Sequence, residues 1–181
     1  MIADPFPPPR PANPPSLTFV IGGARSGKSR HAEGIVAALP APWLYIATAE
    51  AFDGEMTERI AAHRARRDAR WETRDAPRDL AEVLDAAEPD RPVLIDCLTL
   101  WLSNLLLSGA DVAAACDRLV GVLGAPRGPW VAVSNEVGLG IVPDNALARR
   151  FRDHQGTLNQ AVAAVADRVI FMAAGLPMTL K

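Results

Sequence analysis

The segment Gly22-Gly23-Ala24-Arg25-Ser26-Gly27-Lys28-Ser29 follows the apolar run Leu17-Thr18-Phe19-Val20-Ile21 and leads into a helix-compatible stretch. A strand, a glycine-rich turn and a helix start in that order make a P-loop. Phosphate charge has to be met without bulky side chains in the way, so the glycines let the backbone close around it and present a row of N–H donors. The positive end of the following helix dipole adds to the attraction. In this reading all eight residues contact a nucleoside triphosphate. Lys28 reaches the β- and γ-phosphates as a point charge, and the Ser29 hydroxyl sits on the Mg2+ ion that bridges them.

Of the 181 residues, 49% are hydrophobic and 22% charged, which is enough apolar material for one full core. The formal net charge of −2 excludes a sequence-independent grip on nucleic acid, which needs many unneutralised Lys and Arg side chains. Cys97 and Cys116 stand in apolar or helical contexts without metal-ligand spacing, and read as buried free thiols of a reducing compartment. Apolar stretches are broken by Asp, Asn or Gly before membrane-spanning length, and the amino terminus lacks the layout of a signal peptide, so the expected location is cytoplasmic. Residues 1–15 are dominated by proline and read as a disordered leader; residues 16–181 read as a single nucleotide-binding catalytic domain.

From Ser16 onward short β-rich runs alternate with amphipathic segments, which predicts an α/β fold with a mostly parallel sheet flanked by helices. The expected strands are Leu17–Ile21, Trp43–Ala47, Pro92–Asp96, Trp130–Ser134 and Arg168–Ala173. A last one, Met178–Leu180, follows the hairpin-length connection Gly175-Leu176-Pro177 as an antiparallel C-terminal edge strand. Helices are expected over 29–39, 53–67, 78–87 and 111–123. After Pro143 comes a longer one, whose Leu147, Phe151, His154, Leu158, Val162 and Val165 recur at helical spacing on one buried face.

Val93-Leu94-Ile95-Asp96 is an apolar strand ending in a carboxylate. Alone it reads equally as a strand cap, but beside a P-loop it has the form of a Walker B segment, where Asp96 would complete the metal site with Ser29. Asn135-Glu136 ends the next strand at the edge where open α/β sheets bind ligands, although a plain polar cap fits as well. The guanine-reading and switch motifs of regulatory GTPases are absent. His31 and His154 read as structural. His63 falls on the inward side of its expected helix and is followed by Arg64, Arg66, Arg67 and Arg70, so two readings stay open: a solvated helix end, or a phosphate-handling site in which histidine attacks phosphorus.

Taken in order, the P-loop with Arg30-His31-Ala32-Glu33, Tyr45-Ile46-Ala47-Thr48-Ala49, Glu55-Met56 with His63-Arg64, Asp96-Cys97-Leu98-Thr99 with Asn104, Ser134-Asn135-Glu136-Val137-Gly138-Leu139-Gly140-Ile141-Val142-Pro143, and Arg149 with Gly156 and Asn159 resemble one family. It is the bifunctional adenosylcobinamide kinase/adenosylcobinamide-phosphate guanylyltransferase family of cobalamin biosynthesis. The resemblance implies a RecA-like P-loop fold, a homotrimer, and two reactions. ATP or GTP first phosphorylates adenosylcobinamide; GMP from GTP then passes through a covalent histidine intermediate to adenosylcobinamide phosphate. By motif position the histidine is His63. The implied guanine-nucleotide contacts are the P-loop, Ala47, Thr48 and Ala49, the run Arg64, Ala65, Arg66 and Arg67, and also Arg78 and Asp96. Two competing classes are a small-metabolite P-loop kinase without guanylyl transfer and a P-loop ATPase coupled to a protein partner.

Overall fold

The structure, a computed structural model, describes residues 16–50, Gly54 and 67–181. The leader 1–15 and most of the expected helix 53–67 lie outside these residues.

Apolar β-branched runs bounded by turn residues form the strands. In chain order the elements are β1 (Ser16–Gly22), α1 (Lys28–Ala37), β2 (Trp43–Ala47), β3 (Trp71–Asp75), α2 (Leu80–Asp85), β4 (Val93–Asp96), α3 (Leu98–Ser108), α4 (Val112–Leu123), β5 (Pro129–Asn135), α5 (Ala146–Val165), β6 (Arg168–Ala173) and β7 (Leu176–Thr179). The strands make one sheet in the order β3-β2-β4-β5-β1-β6-β7. Every neighbouring pair is parallel except β6 and β7. All the parallel strands therefore end at the same edge, and the loops leaving that edge carry the candidate chemistry.

Strand alternation divides the core into two layers. Leu17, Phe19, Ile95, Trp130 and Ala132 face α2 to α5, packing with Leu84, Leu102, Leu119, Leu158 and Val162. Val20, Leu94, Val131 and Val133 point to the other side, against Ala32 and Val36 of α1. The P-loop helix thus has one sheet face among the described residues.

Two elements escape sequence patterning. In β3, Trp71-Glu72-Thr73-Arg74-Asp75, Glu72 bonds Arg74 at 2.7 Å and Arg91 at 2.6 Å, so its charges are spent on ion pairs at the sheet edge. Charged edge strands discourage pairing with other chains but hide the strand signal. α3, Leu98-Thr99-Leu100-Trp101-Leu102-Ser103-Asn104-Leu105-Leu106-Leu107-Ser108, is apolar on most sides because it packs between the sheet and other helices, and it shows no clear amphipathic period.

Two expectations are corrected. The terminal hairpin turns at Ala174 and Gly175, whose φ values are 51° and 83°, so β7 begins at Leu176 and carries Pro177 on the sheet edge. The face of α5 is also rotated: Leu147 and Val165 are 50% and 37% exposed, while Gln155, Leu158, Asn159 and Val162 are buried. Two polar residues occupy that interior because the end of β5 needs hydrogen-bond partners there. Leu158→Ala should therefore cost about 2–5 kcal/mol in urea unfolding, and Leu147→Ala within about 0.5 kcal/mol. Equal losses at both positions would contradict this packing.

Candidate functional site

The P-loop leaves β1 at Gly22, which only glycine can occupy. A Cβ there would lie 2.6 Å from the Met172 carbonyl and 2.8 Å from Ser26 Oγ. Gly27 takes φ 89°, and the helix starts at Lys28. Ser26 Oγ is buried with no hydrogen-bond partner among the described residues, an orphan donor inside a loop shaped to receive an anion. Lys28 is buried, with Nζ donating to the Gly23 carbonyl at 3.1 Å, so it folds back over the loop. Ala24 and Arg25 are exposed. The β6–β7 turn braces the loop from the far side, its Gly175 N–H donating to the Ser26 carbonyl at 3.0 Å.

Ser29 Oγ donates to Asp96 Oδ1 at 3.4 Å, which brings the first turn of α1 to the tip of β4. Tyr45, at the centre of β2, donates its hydroxyl to Asp96 Oδ2 at 3.0 Å. A hydroxyl and a carboxylate converging beside a phosphate loop are hard oxygen ligands and fit Mg2+, which takes one or two protein oxygens and leaves the rest to phosphates and water. No cluster of three or more His, Cys, Asp or Glu with metal-site spacing occurs among the described residues.

The neighbouring strand tips are tied together by the protein itself. Thr48 Oγ1 donates to the Cys97 carbonyl at 2.7 Å and accepts from the Cys97 N–H at 2.8 Å. Asn104 of α3 donates to the Thr48 and Pro77 carbonyls, and the Thr48 N–H donates to the Asp96 carbonyl. With all its polar groups engaged, Thr48 fixes the end of β2 against the start of α3. Its neighbours Ala47 and Ala49 are half-buried at the same edge. Arg78 pairs with Glu50 at 2.7 Å just past them.

A family model described as cobinamide kinase / cobinamide phosphate guanyltransferase matches residues 18–180. The chain belongs to that family. It is a bifunctional enzyme, kinase and guanylyltransferase, of cobinamide nucleotide-loop assembly. It is 52% identical over 166 residues to the bifunctional adenosylcobalamin biosynthesis protein CobP of Pseudomonas aeruginosa, covering 90% of this chain and 96% of that one. It is 43% identical to the corresponding CobU of Salmonella typhimurium, covering 91% and 99%. Among solved structures, a prototypical ATPase of a type III secretion system aligns with a TM-score of 0.54 at 16% identity, covering 91% of this chain and 56% of that one. The secretion ATPase EscN of enteropathogenic E. coli aligns with a TM-score of 0.52 at 13% identity, covering 88% and 43%. These two likenesses show a shared α/β fold.

Within this family member, His63 and the run Arg64, Ala65 and Arg66 lie outside the described residues. Arg67 is described: its guanidinium lies 3.6 Å over the Tyr45 ring, and its Nη1 is buried with no hydrogen-bond partner among the described residues. It borders a groove of about 280 Å³ that also involves Arg30, Arg70, Trp43 and Trp71. His31 and His154 are half-buried on their helices. Cys97 stands next to Asp96, yet it makes a poor nucleophile, because burial and then the Asp96 charge push its thiol up to about 11. Both cysteines are free, and Cys116 is only half-buried.

Sequence patterning leaves Tyr45 without a role, and only its place two residues before the β2 tip marks it as facing the same side as Ala47. Burial first, then the Asp96 charge, raises its phenol well above the ordinary tyrosine value. The folded state keeps the proton that the unfolded state loses above about pH 10, so Tyr45 stabilises the fold below that pH and the contribution is lost as pH rises. Tyr45 is the single tyrosine of the chain, so its titration can be followed alone. Phenolate absorbance should stay flat to about pH 11 in folded protein and rise together with unfolding. A phenolate signal near pH 10 with the fold intact would contradict the Tyr45–Asp96 contact.

Proposed function

We propose that this enzyme transfers the γ-phosphoryl group of ATP or GTP to the aminopropanol hydroxyl of adenosylcobinamide, and then moves GMP from GTP through His63 onto adenosylcobinamide phosphate to give adenosylcobinamide-GDP. The observation that carries the first step is the convergence of Lys28, Ser29 and Asp96 where β1 and β4 end. Positioning and electrostatic stabilisation supply most of the catalysis in phosphoryl transfer. Lys28 meets charge on the β- and γ-phosphates, the P-loop N–H groups and Ser26 hold the oxygens, and Ser29 and Asp96 would hold Mg2+. Mg2+ held there would supply charge that neutralises the phosphate oxygens as the phosphoryl group transfers. Tyr45 orients the carboxylate from behind.

In the second step an imidazole nitrogen of His63 attacks the α-phosphorus of GTP. A phosphorus–nitrogen bond forms as the bond to pyrophosphate breaks, and a phosphate oxygen of the corrinoid then displaces the histidine. An imidazole with an ordinary pKa near 6.5 is mostly neutral at pH 7 and therefore nucleophilic. Arg64, Arg66 and Arg67 would neutralise the phosphate oxygens, which is supported by an Arg67 Nη1 that has no hydrogen-bond partner among the described residues. The Ala47–Ala49 turn and Arg78 would complete the nucleotide contacts. The raised Cys97 thiol supports histidine over cysteine as the covalent carrier. The catalytic unit we propose is residues 16–181, acting in the cytoplasm as a homotrimer, a mass that sedimentation equilibrium reads directly. No helix among the described residues is long and apolar enough to cross a membrane.

Two variants should separate the activities. Lys28→Ala should lower kinase turnover by at least about 100-fold, the scale of a lost preorganised charge. Given GTP labelled at the α-phosphate, wild-type protein should acquire label that survives base and is lost in acid. His63→Ala should take up none while still phosphorylating adenosylcobinamide. Labelling of His63→Ala at the wild-type level would remove His63 from this role.

A further inference from the structure

β5 lies between β1, which ends in the P-loop, and β4, which ends in Asp96. Its tip therefore stands between the two halves of the phosphate and metal site. The register sets Asn135 beside Gly22, and Asp96 beside Val133. Neighbouring strands are about 4.8 Å apart, so the Asn135 backbone is one strand spacing from the first P-loop residue. Strand parity fixes its side: Asn135 alternates with Val131 and Val133, whose side chains pack toward α1, and Asp96 alternates likewise with Leu94. Asn135 and Asp96 thus share the sheet face on which α1 begins at Lys28.

The Asn135 backbone is held on both polar groups by buried side chains from the opposite face. Its N–H donates to Thr99 Oγ1 at 2.7 Å, and its carbonyl accepts from Asn159 Nδ2 at 3.0 Å. That second bond commits the Asn159 amide, leaving Oδ1 to accept from Ser134 Oγ at 2.8 Å and from Gln155 Nε2 at 2.9 Å. Gln155 also donates to Ser134 Oγ at 2.9 Å. One residue further, the Glu136 N–H donates to the Gly22 carbonyl at 3.0 Å. Ser134 and Gln155 are fully buried, and Thr99 and Asn159 nearly so. Gln155 Oε1 lacks a hydrogen-bond partner among the described residues, but the remaining bonds fix the donor directions and hold one backbone geometry firmly. Against this, the half-buried Asn135 side-chain amide has no hydrogen-bond partner among the described residues.

We propose that Asn135 is a further nucleotide-contacting residue, its side-chain amide donating to an oxygen of the γ-phosphoryl group, with Thr99, Ser134, Gln155 and Asn159 as its positioning residues. The inference rests on the nucleotide reading given above and adds to it a group that tells a triphosphate from a diphosphate. A neutral donor suits that place, since it stabilises charge on the transferring group without competing with Lys28 or the metal.

The test is binding of β,γ-imido GTP and of GDP, both with magnesium, by titration calorimetry in the His63→Ala background, where no covalent transfer intervenes. Asn135→Ala should lower the preference for triphosphate over diphosphate about 10-fold or more, the scale of a hydrogen bond to a charged group, with GDP affinity kept. Asn135→Asp keeps the shape but opposes a carboxylate to the phosphate, and should lower the ratio further. Gln155→Leu and Gln155→Glu, which both remove the amide donor to Ser134 Oγ and Asn159 Oδ1, should each lower it in the same direction by a smaller factor than Asn135→Ala, with GDP affinity kept. An unchanged ratio in both Asn135 variants, with GDP still bound, would overturn the proposal. Failure of the parent protein to bind either nucleotide would instead overturn the nucleotide reading beneath it.

Discussion

Both oxygens of the Asp96 carboxylate are engaged by hydroxyls from different parts of the chain, Ser29 at the start of α1 and Tyr45 in β2. That contact depends on the parallel register, which ends β1, β2, β4 and β5 at one edge and sets Asp96 on the α1 face. A slip of one residue in β4 would turn Asp96 toward α3 and leave Ser29 without its partner. The core is built to prevent such a slip, since Val93 and Ile95 fill one layer and Leu94 the other.

Around that carboxylate the protein spends buried polar groups on backbone rather than on solvent. Thr48 clasps Cys97, Asn104 reaches Thr48, and the cluster around Ser134 clasps Asn135. Each bond is modest in net stability, but leaving any of these buried groups unpaired costs more than the bond returns. The strand tips are therefore held in one arrangement before substrate arrives. Preorganised donors of this kind need no reorganisation when charge develops in the transition state, which is what phosphoryl transfer demands.

Much of this was legible in the chain. The P-loop, the Asp-ended strand and the alternation of strands with amphipathic segments predicted the α/β sheet, because those patterns follow from backbone geometry and burial. The Asn-Glu-Val-Gly stretch gave the family, which the relatives show. β3 was hidden because its charges answer each other across the sheet edge, and α3 because a helix covered on most sides has no polar face to set its period. The spacing on α5 pointed to His154, yet the interior takes Gln155 and Asn159. Hydropathy cannot register a partner such as the Ser134 hydroxyl that makes a buried amide favourable. Tyr45 reads as an ordinary aromatic strand residue until its hydroxyl is seen on Asp96.

The central claim is that one chain performs both transfers to the same corrinoid. Incubation of the full chain with GTP, ATP, magnesium and adenosylcobinamide, followed by mass analysis of the corrinoid, tests it most directly. The account predicts adenosylcobinamide phosphate appearing first and adenosylcobinamide-GDP accumulating at its expense, with pyrophosphate released in step. Phosphorylation without any guanylylated product, or nucleotide hydrolysis with the corrinoid unchanged, would contradict it.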